Sequence, residues 1–395
     1  ARRALDRFVG AFADGHMEIS WPSPANDGQA PMQPGICAAL GYRAPDDESG
    51  VATRLPGYRA LSAEGATIEA GVAPVRRSQI GVLRIAQFSP NVAICERAVA
   101  ELALPQQKPC DEACANSVYL RADNLFLREI AGAIRALKAA RPRAILVDIA
   151  GNGGGSDTAI AAAHMLAGAN LARPRMGVAR SAARAQSLTE TAENLEAHAK
   201  SQEARAYLAP LIAALRRSAD EAGKACDMGP VWRGGAPPCA SAVAGPFFAG
   251  GLVAKELPPH WHAAPWAETV SYTSRFEYEP GLWQGPLLVL VDNGSASAAE
   301  LFAAMLQDSG GAKVIGAPTY GAGCGWNLPR QDIVLKNSGG RLSIPDCARF
   351  RSDGRNELDG VEPDFLVGFR PGDTPAQRVE RLNERLAPAI ADTRR

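Results

Sequence analysis

The sequence predicts an α/β fold built on a largely parallel sheet. Two apolar runs, at 144–149 and 287–291, have the composition of strands that are buried on both faces. Each run ends in a turn rich in Gly, Asn or Ser, and a helical pattern of apolar residues follows it. At 395 residues, of which 46% are hydrophobic, the chain is long enough to bury a full core. Repeated strand–turn–helix units of this kind are typical of sheets covered by helices.

Changes in composition divide the chain into four segments, with boundaries at 1–60, 61–181, 182–266 and 267–395. The first segment combines a helix over 2–12 with a stretch over 21–58 that is rich in Pro, Gly, Asn and Asp. Such a stretch predicts a long loop or a lid. The chain begins in helical periodicity and without Met, and no secretory signal is visible, so we expect a mature or trimmed form.

The second and fourth segments are the two parts of the predicted core, and the third is an insert. Further strands are expected at 66–72, 80–85, 341–344 and 365–367. Helices of the core are expected at 124–140, 158–171 and 377–387. The insert should be helical over 182–223, where Ala, Glu, Arg and Lys dominate, and continue as a Gly- and Pro-rich loop to 266.

The charge balance excludes two classes of partner. The chain carries 42 basic and 42 acidic residues, so its net charge does not favour nucleic acid or an anionic membrane surface. No apolar stretch is long enough and sufficiently free of charge to span a bilayer. We therefore predict neither a nucleic-acid partner nor a membrane-spanning segment.

The eight cysteines indicate an oxidising compartment. Eight is more than a reduced cytosolic enzyme of this size typically carries, and none lies in a CxxC pair with histidines nearby. Disulfides therefore explain the cysteines better than a zinc site or buried free thiols. The spacing of the cysteines leaves their pairing open. Cys110 and Cys114 flank three residues, Cys226 and Cys239 bracket a Gly- and Pro-rich loop, and Cys324 and Cys347 lie on either side of a predicted hairpin. The prediction is a periplasmic or secreted protein.

A serine-containing turn follows the apolar run at 287–291. Small residues over 295–299 permit a tight turn from strand to helix, and the helix then shows an apolar stripe. A serine at such a turn lies at the positive end of a helix dipole, which stabilises both an alkoxide and an oxyanion. Ser295 and Ser297 are thus candidate nucleophiles, although both would also serve as simple helix caps.

A glycine run at 151–155 follows the other apolar strand. Glycines between a strand and a helix let backbone N–H groups converge on one point, because no Cβ blocks the approach. The run lacks the Lys-Ser/Thr of a nucleotide phosphate loop and the spacing of a dinucleotide fingerprint. An oxyanion hole is therefore the better functional interpretation, and a tight structural turn is the alternative.

The five histidines differ in their surroundings. His16 follows a glycine that ends the first helix, a position that by itself is ordinary surface. His260 and His262 form a His-x-His pair, but no carboxylate or cysteine stands at ligand spacing, so a metal site is disfavoured. His164 and His198 fall within predicted helices and are expected to be structural.

Taken together, the glycine and serine turns resemble a known family. The segments 148–155 (DIAGNGGG), 294–300 (GSASAAE), 307–308 (QD) and 318–321 (PTYG) look like the serine peptidases of the C-terminal processing and tricorn type. The resemblance covers about residues 80–370. It implies a crotonase-like α/β core, with the N-terminal helical segment and the helical insert as additions.

The resemblance also implies a set of catalytic groups. Ser297 matches the family nucleophile, and the oxyanion donors would be the backbone N–H of Ala298 and one from Gly153 or Gly154. Tail-specific members keep a lysine base just after the motif that here ends at 321, but this chain has Ala322. Ser297 therefore needs a different base.

The tricorn-like branch of the family supplies histidine and glutamate instead. His16 resembles the histidine of that branch, and the segment 357–364 (ELDGVEPD) resembles its carboxylate motif, with Glu357 at the catalytic position. In that scheme His16 takes the proton of Ser297, and Glu357 holds the imidazole. Neighbouring carboxylates would also fit the alignment, namely Asp353, Asp359 and Glu362. No PDZ pattern is recognisable over 21–72.

The implied activity is that of a serine endopeptidase acting on polypeptides, without a metal or an organic cofactor. Homo-oligomerisation is an expectation from the family alone. Two other classes stay open: an inactive peptidase-fold protein that binds a ligand or partner, and an acyl-CoA enzyme of the crotonase superfamily. The neutral charge, with no basic cluster for CoA phosphates, weighs against the acyl-CoA class.

Overall fold

The computed structural model describes residues 2–12, 14–22, 35–44, 50–104, 110–240, 242–327 and 332–393, without the side chain of 232. Contacts group the chain into two units, each assembled from three chain segments. The core unit comprises Pro24–Ala172, Arg275–Tyr320 and Gly360–Arg395. The insert unit comprises Ala1–Ser23, Arg173–Ser274 and Gly321–Asp359.

The strands of the described residues are β1 (Glu18–Ser20), β2 (Arg59–Ala60), β3 (Ile68–Val75), β4 (Ser78–Ile85), β5 (Ile145–Asp148), β6 (Arg175–Ala179), β7 (Ala242–Val243), β8 (Leu287–Val291), β9 (Lys313–Gly316), β10 (Ile333–Val334), β11 (Arg341–Ser343), β12 (Cys347–Phe350) and β13 (Phe365–Leu366). Their α-helices are α1 (Arg2–Gly10), α2 (Ile36–Ala39), α3 (Val92–Glu101), α4 (Glu112–Ala139), α5 (Thr158–Ala167), α6 (Ala182–His198), α7 (Gln202–Gly223), α8 (Gly229–Trp232), α9 (Ala267–Val270), α10 (Ala298–Asp308) and α11 (Pro375–Asp392).

The core unit is built on one sheet with the strand order β13-β9-β8-β5-β4-β3-β2. The pairs from β13 to β4 are parallel, and β4-β3 and β3-β2 are antiparallel. Every residue of β5 and β8 is buried, as expected for strands covered on both faces. The predicted α/β fold with a mostly parallel sheet is therefore confirmed.

Three helices of the core unit differ in length from their predictions, and of these α11 extends over Pro375–Asp392 instead of 377–387. α4 begins at Glu112, twelve residues before the predicted start at 124, because the Asp111 side chain caps it by accepting the Cys114 N–H at 2.9 Å. α5 ends at Ala167 rather than at 171, because Gly168 takes a positive φ of 89° there. The start of α4 and the finish of α5 are therefore set by a local capping residue and not by the extent of the apolar stripe.

The insert unit contains two antiparallel sheets and a pair of long helices. One sheet has the order β1-β11-β10, and the other has the order β12-β6-β7. α6 and α7 pack against each other through apolar positions, so the stretch 182–223 is helical as predicted. Residues 23–34 and 45–49 of the predicted loop over 21–58 lie outside the described residues, and the described part includes α2 and a 3-10 helix at Ala52–Arg54.

All eight cysteines are described, and they form four disulfides: Cys37–Cys95, Cys110–Cys114, Cys226–Cys239 and Cys324–Cys347. The prediction of disulfides is thus confirmed, and the pairing that spacing left open is resolved. Within the described ranges, no helix has the length and apolar character needed to cross a membrane.

Candidate active site

Ser297 occupies a strained position at the start of α10. It follows the turn that leaves β8, and its backbone has φ 55° and ψ −111°, a conformation that side-chain-bearing residues rarely adopt. A sharp turn of this kind between a strand and a helix lifts a nucleophilic side chain out of the surrounding backbone. Ser297 is partly exposed, so a substrate could approach its hydroxyl.

Ser295, the other candidate, has a structural role. It is fully buried, and its hydroxyl donates to the Ile149 carbonyl at 2.8 Å and accepts the Asp292 N–H at 3.0 Å. These two bonds connect the ends of β5 and β8. Ser295 is thus occupied within the fold, and Ser297 stays the candidate nucleophile.

The glycine run and the serine turn meet. A Cβ built on Gly154 would lie 2.8 Å from the Ser297 Cβ and 2.9 Å from the Ala296 carbonyl oxygen, so only glycine fits there. Gly154 also has a φ of 109°. The Asp292 carboxylate ties the two turns together, since its Oδ1 accepts the Gly151 N–H at 2.7 Å.

The side chain of Asn152 binds one of the backbone N–H groups of the glycine run. Its buried amide donates to the Ile85 carbonyl and accepts the Gly154 N–H, each at 2.9 Å. The Gly154 N–H is thus used within the turn. Among the described residues, the N–H groups of Gly153 and Ala298 donate to no other group. Gly153 is therefore the better of the two glycine donors that the resemblance implied.

A buried carboxylate supports the strained backbone of Ser297. Glu300 is fully buried; its Oε2 accepts the Ser297 N–H at 2.8 Å, and its Oε1 accepts the Thr319 hydroxyl at 2.6 Å. Thr319 in turn accepts the Val361 N–H at 2.7 Å. Sequence reasoning assigned no role to Glu300, although a glutamate three residues after an N-cap serine is the pattern of a capping box.

His16 belongs to the insert unit, where it contacts the loop at 321–327. Its Nδ1 lies 2.9 Å from the carbonyl oxygen of Ala322. Because a carbonyl only accepts, Nδ1 carries a proton in this contact. The ring also lies edge-on to Trp326, with centroids 5.6 Å apart, and against the backbone of Gly325.

Ala322 occupies the position at which tail-specific members of the family keep a lysine. Its own side chain is buried, and it contributes a main-chain carbonyl to His16. Sequence reasoning could not find this contact, because every residue type carries the same carbonyl group. The Asp14 carboxylate adds a second contact by accepting the backbone N–H of His16 at 2.8 Å.

Glu357 is also in the insert unit, fully buried in a 3-10 helix at Glu357–Asp359. It forms an ion pair with the buried Arg349 of β12. Arg349 also donates to the carbonyl of Gly323 at 3.1 Å. Glu357 and His16 are thus both connected to the loop at 321–327, Glu357 through Arg349 and His16 through Ala322.

The predicted site residues are therefore divided between the two units. Ser297, Ala298, Gly153 and Gly154 come together in the core unit, and His16 and Glu357 belong to the insert unit. Nothing in the described ranges groups three or more His, Cys, Asp or Glu side chains as a metal site would require. The rings of three other histidines contact main-chain carbonyls, namely His164 at Gly168, His198 at Asn194 and His262 at Leu257.

The pKa of one carboxyl group in the core unit depends on a residue shortly after the glycine run. Burial raises the pKa of the Asp123 carboxyl, on α4, from 3.8 to about 7; Arg275 opposes this shift, and the charge of Asp157 adds to it. Asp157 is the N-cap residue of α5, two positions after Gly155. The protonation state of Asp123 therefore changes near neutral pH within the core unit.

Comparison with known proteins gives a consistent assignment. The model of the family described as Peptidase family S41 matches residues 79–367. Carboxyl-terminal-processing peptidase 3, chloroplastic, of Arabidopsis thaliana is 35% identical over 111 residues, which are 27% of this chain and 20% of that protein. Carboxyl-terminal-processing peptidase 2, chloroplastic, of the same plant is 38% identical over 81 residues, or 20% of this chain and 15% of that protein.

Among solved structures, mature CPAF superposes with a TM-score of 0.53 at 17% identity, over 90% of this chain and 62% of that chain. These matches span less than two thirds of the relatives' own length. At that identity, the likeness to CPAF shows a shared fold. Because the model of this family of serine-type peptidases extends over most of the chain, the resemblance found in the two turns is confirmed, and the chain belongs to Peptidase family S41.

Proposed function

We propose that the chain is a serine endopeptidase that hydrolyses peptide bonds of proteins or peptides through an acyl-enzyme at Ser297. The observation that carries this proposal is the close approach of Gly154 to a strained Ser297. A backbone conformation that costs stability persists where the surrounding structure over-determines it, and such positions cluster at active sites. Membership of a serine peptidase family supports the same chemistry.

In the proposed mechanism His16 is the general base and then the general acid. Its Nε2 takes the hydroxyl proton as the Ser297 Oγ attacks the carbonyl carbon of the peptide bond. The negative oxygen of the tetrahedral intermediate accepts hydrogen bonds from the N–H groups of Gly153 and Ala298. His16 then returns the proton to the leaving amine. Water repeats the sequence on the acyl-enzyme and releases the acid, so no metal or organic cofactor is required.

Glu357 is the orienting carboxylate of this proposal, and it acts through Arg349. The ion pair fixes the guanidinium, the guanidinium holds the Gly323 carbonyl, and the adjacent Ala322 carbonyl sets the tautomer of His16. We also propose the finer crotonase-like topology for the core, which the parallel sheet supports. Four disulfides support an oxidising compartment, periplasmic or extracellular.

The proposal is tested with a fluorophosphonate probe and a casein digest. The native chain should be labelled and should cleave casein, whereas Ser297→Ala and His16→Ala should lose both. Ser117→Ala removes an exposed hydroxyl from α4 and should leave both rates unchanged. A folded native chain that is neither labelled nor active would refute the peptidase and favour a ligand-binding role. If the native chain is active, peptides with a free or an amidated carboxyl end would show whether cleavage depends on a free carboxylate. The plant relatives are named as carboxyl-terminal-processing peptidases.

A further inference from the structure

We propose that the Cys324–Cys347 disulfide positions the catalytic base, and that its reduction by a dithiol lowers the rate of peptide hydrolysis. The inference rests on the proposed function of His16. It assigns to one of the four disulfides a role in the reaction that the other three do not share.

The loop at 321–327 surrounds the imidazole of His16. Ala322 accepts the hydrogen bond of Nδ1 at 2.9 Å, and Trp326 lies edge-on to the ring. Gly325 lies so close that a Cβ built on it would be 3.0 Å from His16 Cδ2. The tautomer and the orientation of the base therefore depend on where this loop lies.

Cys324 stands in the middle of these contacts, between Ala322 and Gly325. Its disulfide connects the loop to Cys347, the first residue of β12, 23 positions further along the chain. β12 also carries Arg349, which donates to the Gly323 carbonyl. The covalent bond thus holds the loop that shapes the base site against a strand of the insert unit.

The composition of the loop makes such a restraint important. Glycine occupies every second position, at 321, 323 and 325, and Gly321 and Gly323 have positive φ angles of 83° and 62°. Glycine has the largest backbone freedom of any residue, so this loop loses much conformational entropy when it is ordered. A crosslink within it reduces the number of alternative positions that the Ala322 carbonyl can take.

Hydrogen bonds at the far end of the loop do not replace the crosslink. Trp326 donates its indole N–H to the Ile344 carbonyl at 3.0 Å, and the Asn327 N–H reaches the Asp346 carboxylate at 2.7 Å. Both bonds are near the surface, where water competes for the same groups. Together with the bond of the Asp346 N–H to the Gly325 carbonyl at 3.1 Å, they hold the loop from Gly325 onward, whereas Ala322 lies three residues earlier.

The other disulfides close segments outside this loop. Cys37–Cys95 is buried in the core unit, and Cys110–Cys114 lies at the start of α4. Cys226–Cys239 is in the insert unit, is partly exposed and bridges 13 residues. It is therefore a matched control for the Cys324–Cys347 bond.

The redox step is a thiol–disulfide exchange. A thiolate of the dithiol attacks one sulfur of the Cys324–Cys347 bond, and its second thiol resolves the mixed disulfide. Two electrons and two protons pass to the chain, which gains two thiols, while the dithiol becomes a disulfide. A small-molecule disulfide acts as the oxidant in the reverse exchange and restores the Cys324–Cys347 bond.

The test compares Cys324→Ser/Cys347→Ser with Cys226→Ser/Cys239→Ser, alongside the native chain and His16→Ala. Because small misplacements of catalytic groups are costly, kcat should fall about 10- to 100-fold in the first variant, with KM changed much less. The dependence of kcat on pH should also change shape, since the base would populate more than one tautomer and orientation. The control variant should keep the native kcat and pH profile.

The outcomes separate this inference from the function on which it rests. If His16→Ala keeps the native rate, the proposed function fails and the inference with it. If His16→Ala is inactive while Cys324→Ser/Cys347→Ser keeps the native kcat and pH profile, only the inference is overturned.

A measurement on the native chain covers the case in which the double variant does not fold. The chain is titrated with dithiothreitol, its fold is followed by circular dichroism, and alkylation with mass spectrometry identifies each reduced pair. The rate should fall as Cys324–Cys347 opens and should return on reoxidation. A loss of rate that follows Cys226–Cys239, or that follows unfolding, would overturn the inference.

Discussion

The carboxylate of Glu300 accepts a hydrogen bond from the backbone N–H of Ser297 at 2.8 Å, and its other oxygen accepts the hydroxyl of Thr319 at 2.6 Å. A single buried side chain therefore connects the strained residue to the segment that follows β9. Glutamine has only one acceptor oxygen in its place, so it can satisfy one of these two donors but not both.

We expect Glu300→Gln to lower kcat about 10- to 100-fold, because losing a buried hydrogen bond to a charged group costs about 1.5 to 3 kcal/mol. KM should change little, since Glu300 holds backbone rather than substrate. The surface change Glu279→Gln, at a carboxylate 67% exposed beside Arg135, is the control. Steady-state kinetics of both variants test this prediction. A native kcat for Glu300→Gln would contradict the role of Glu300 in holding the backbone of Ser297.

Gly154→Ala should abolish labelling of Ser297 by a fluorophosphonate. The new methyl group would lie 2.8 Å from the Ser297 Cβ, and alanine is strained at a φ of 109°. We expect a stability loss of about 1 to 3 kcal/mol, measured by urea unfolding, together with the lost labelling. The control is Gly132→Ala in α4, which meets no atom within 4 Å and should stabilise its helix slightly. Native labelling of Gly154→Ala would show that the two turns are not in contact.

Glu357→Gln should reduce stability and kcat together. It leaves the buried guanidinium of Arg349 without its counter-charge, a loss of about 3 to 5 kcal/mol. Removing the charge as well, in Arg349→Met/Glu357→Gln, should recover part of the stability but not the rate. Glu277→Gln, in an exposed pair with Arg128, should cost less than about 1 kcal/mol. Lost kcat with unchanged stability would favour direct orientation of His16 by Glu357.

Asp123 should make the stability of the native chain fall as the pH rises from about 4 to about 7. The pKa of this carboxyl is raised by burial from 3.8 to about 7, so between these values the folded chain binds a proton that the unfolded chain has released. Its contribution is fully present below the lower value and is lost as the pH passes the higher one. A shift of that size corresponds to about 4 kcal/mol at most.

The measurement is urea unfolding at several pH values. Asp123→Asn should flatten the slope between pH 4 and 7, whereas Asp220→Asn, an exposed residue of α7, should retain it. An unchanged slope in Asp123→Asn would show that other groups cause the pH dependence.

The features that the sequence predicted best are those that require burial or glycine. β5 and β8 could be identified because burial on both faces demands an unbroken apolar run. Gly154 could be identified as part of a tight turn between a strand and a helix, because only glycine fits where backbone segments approach so closely. The serine turn could be found for the same reason, as small residues are required where a strand turns sharply into a helix.

Several features that the sequence did not predict depend on single polar contacts. The early start of α4 follows from one carboxylate cap, and the role of Asn152 follows from two hydrogen bonds to main chain. Neither leaves a periodic pattern. The Ala322 carbonyl is harder still to predict, because main-chain groups are common to all residues and only the tertiary fold decides which one faces His16.

The hydrogen bond between His16 and Ala322 joins residues that are 306 positions apart in the chain. Contacts of such long sequence separation form late in folding, because a large loop must close before they stabilise anything. During synthesis His16 emerges well before its carbonyl partner, which lies 306 positions further along the chain. Chains that end before 322 therefore lack the hydrogen bond between His16 and Ala322, and with it the contact that sets the tautomer of the proposed base.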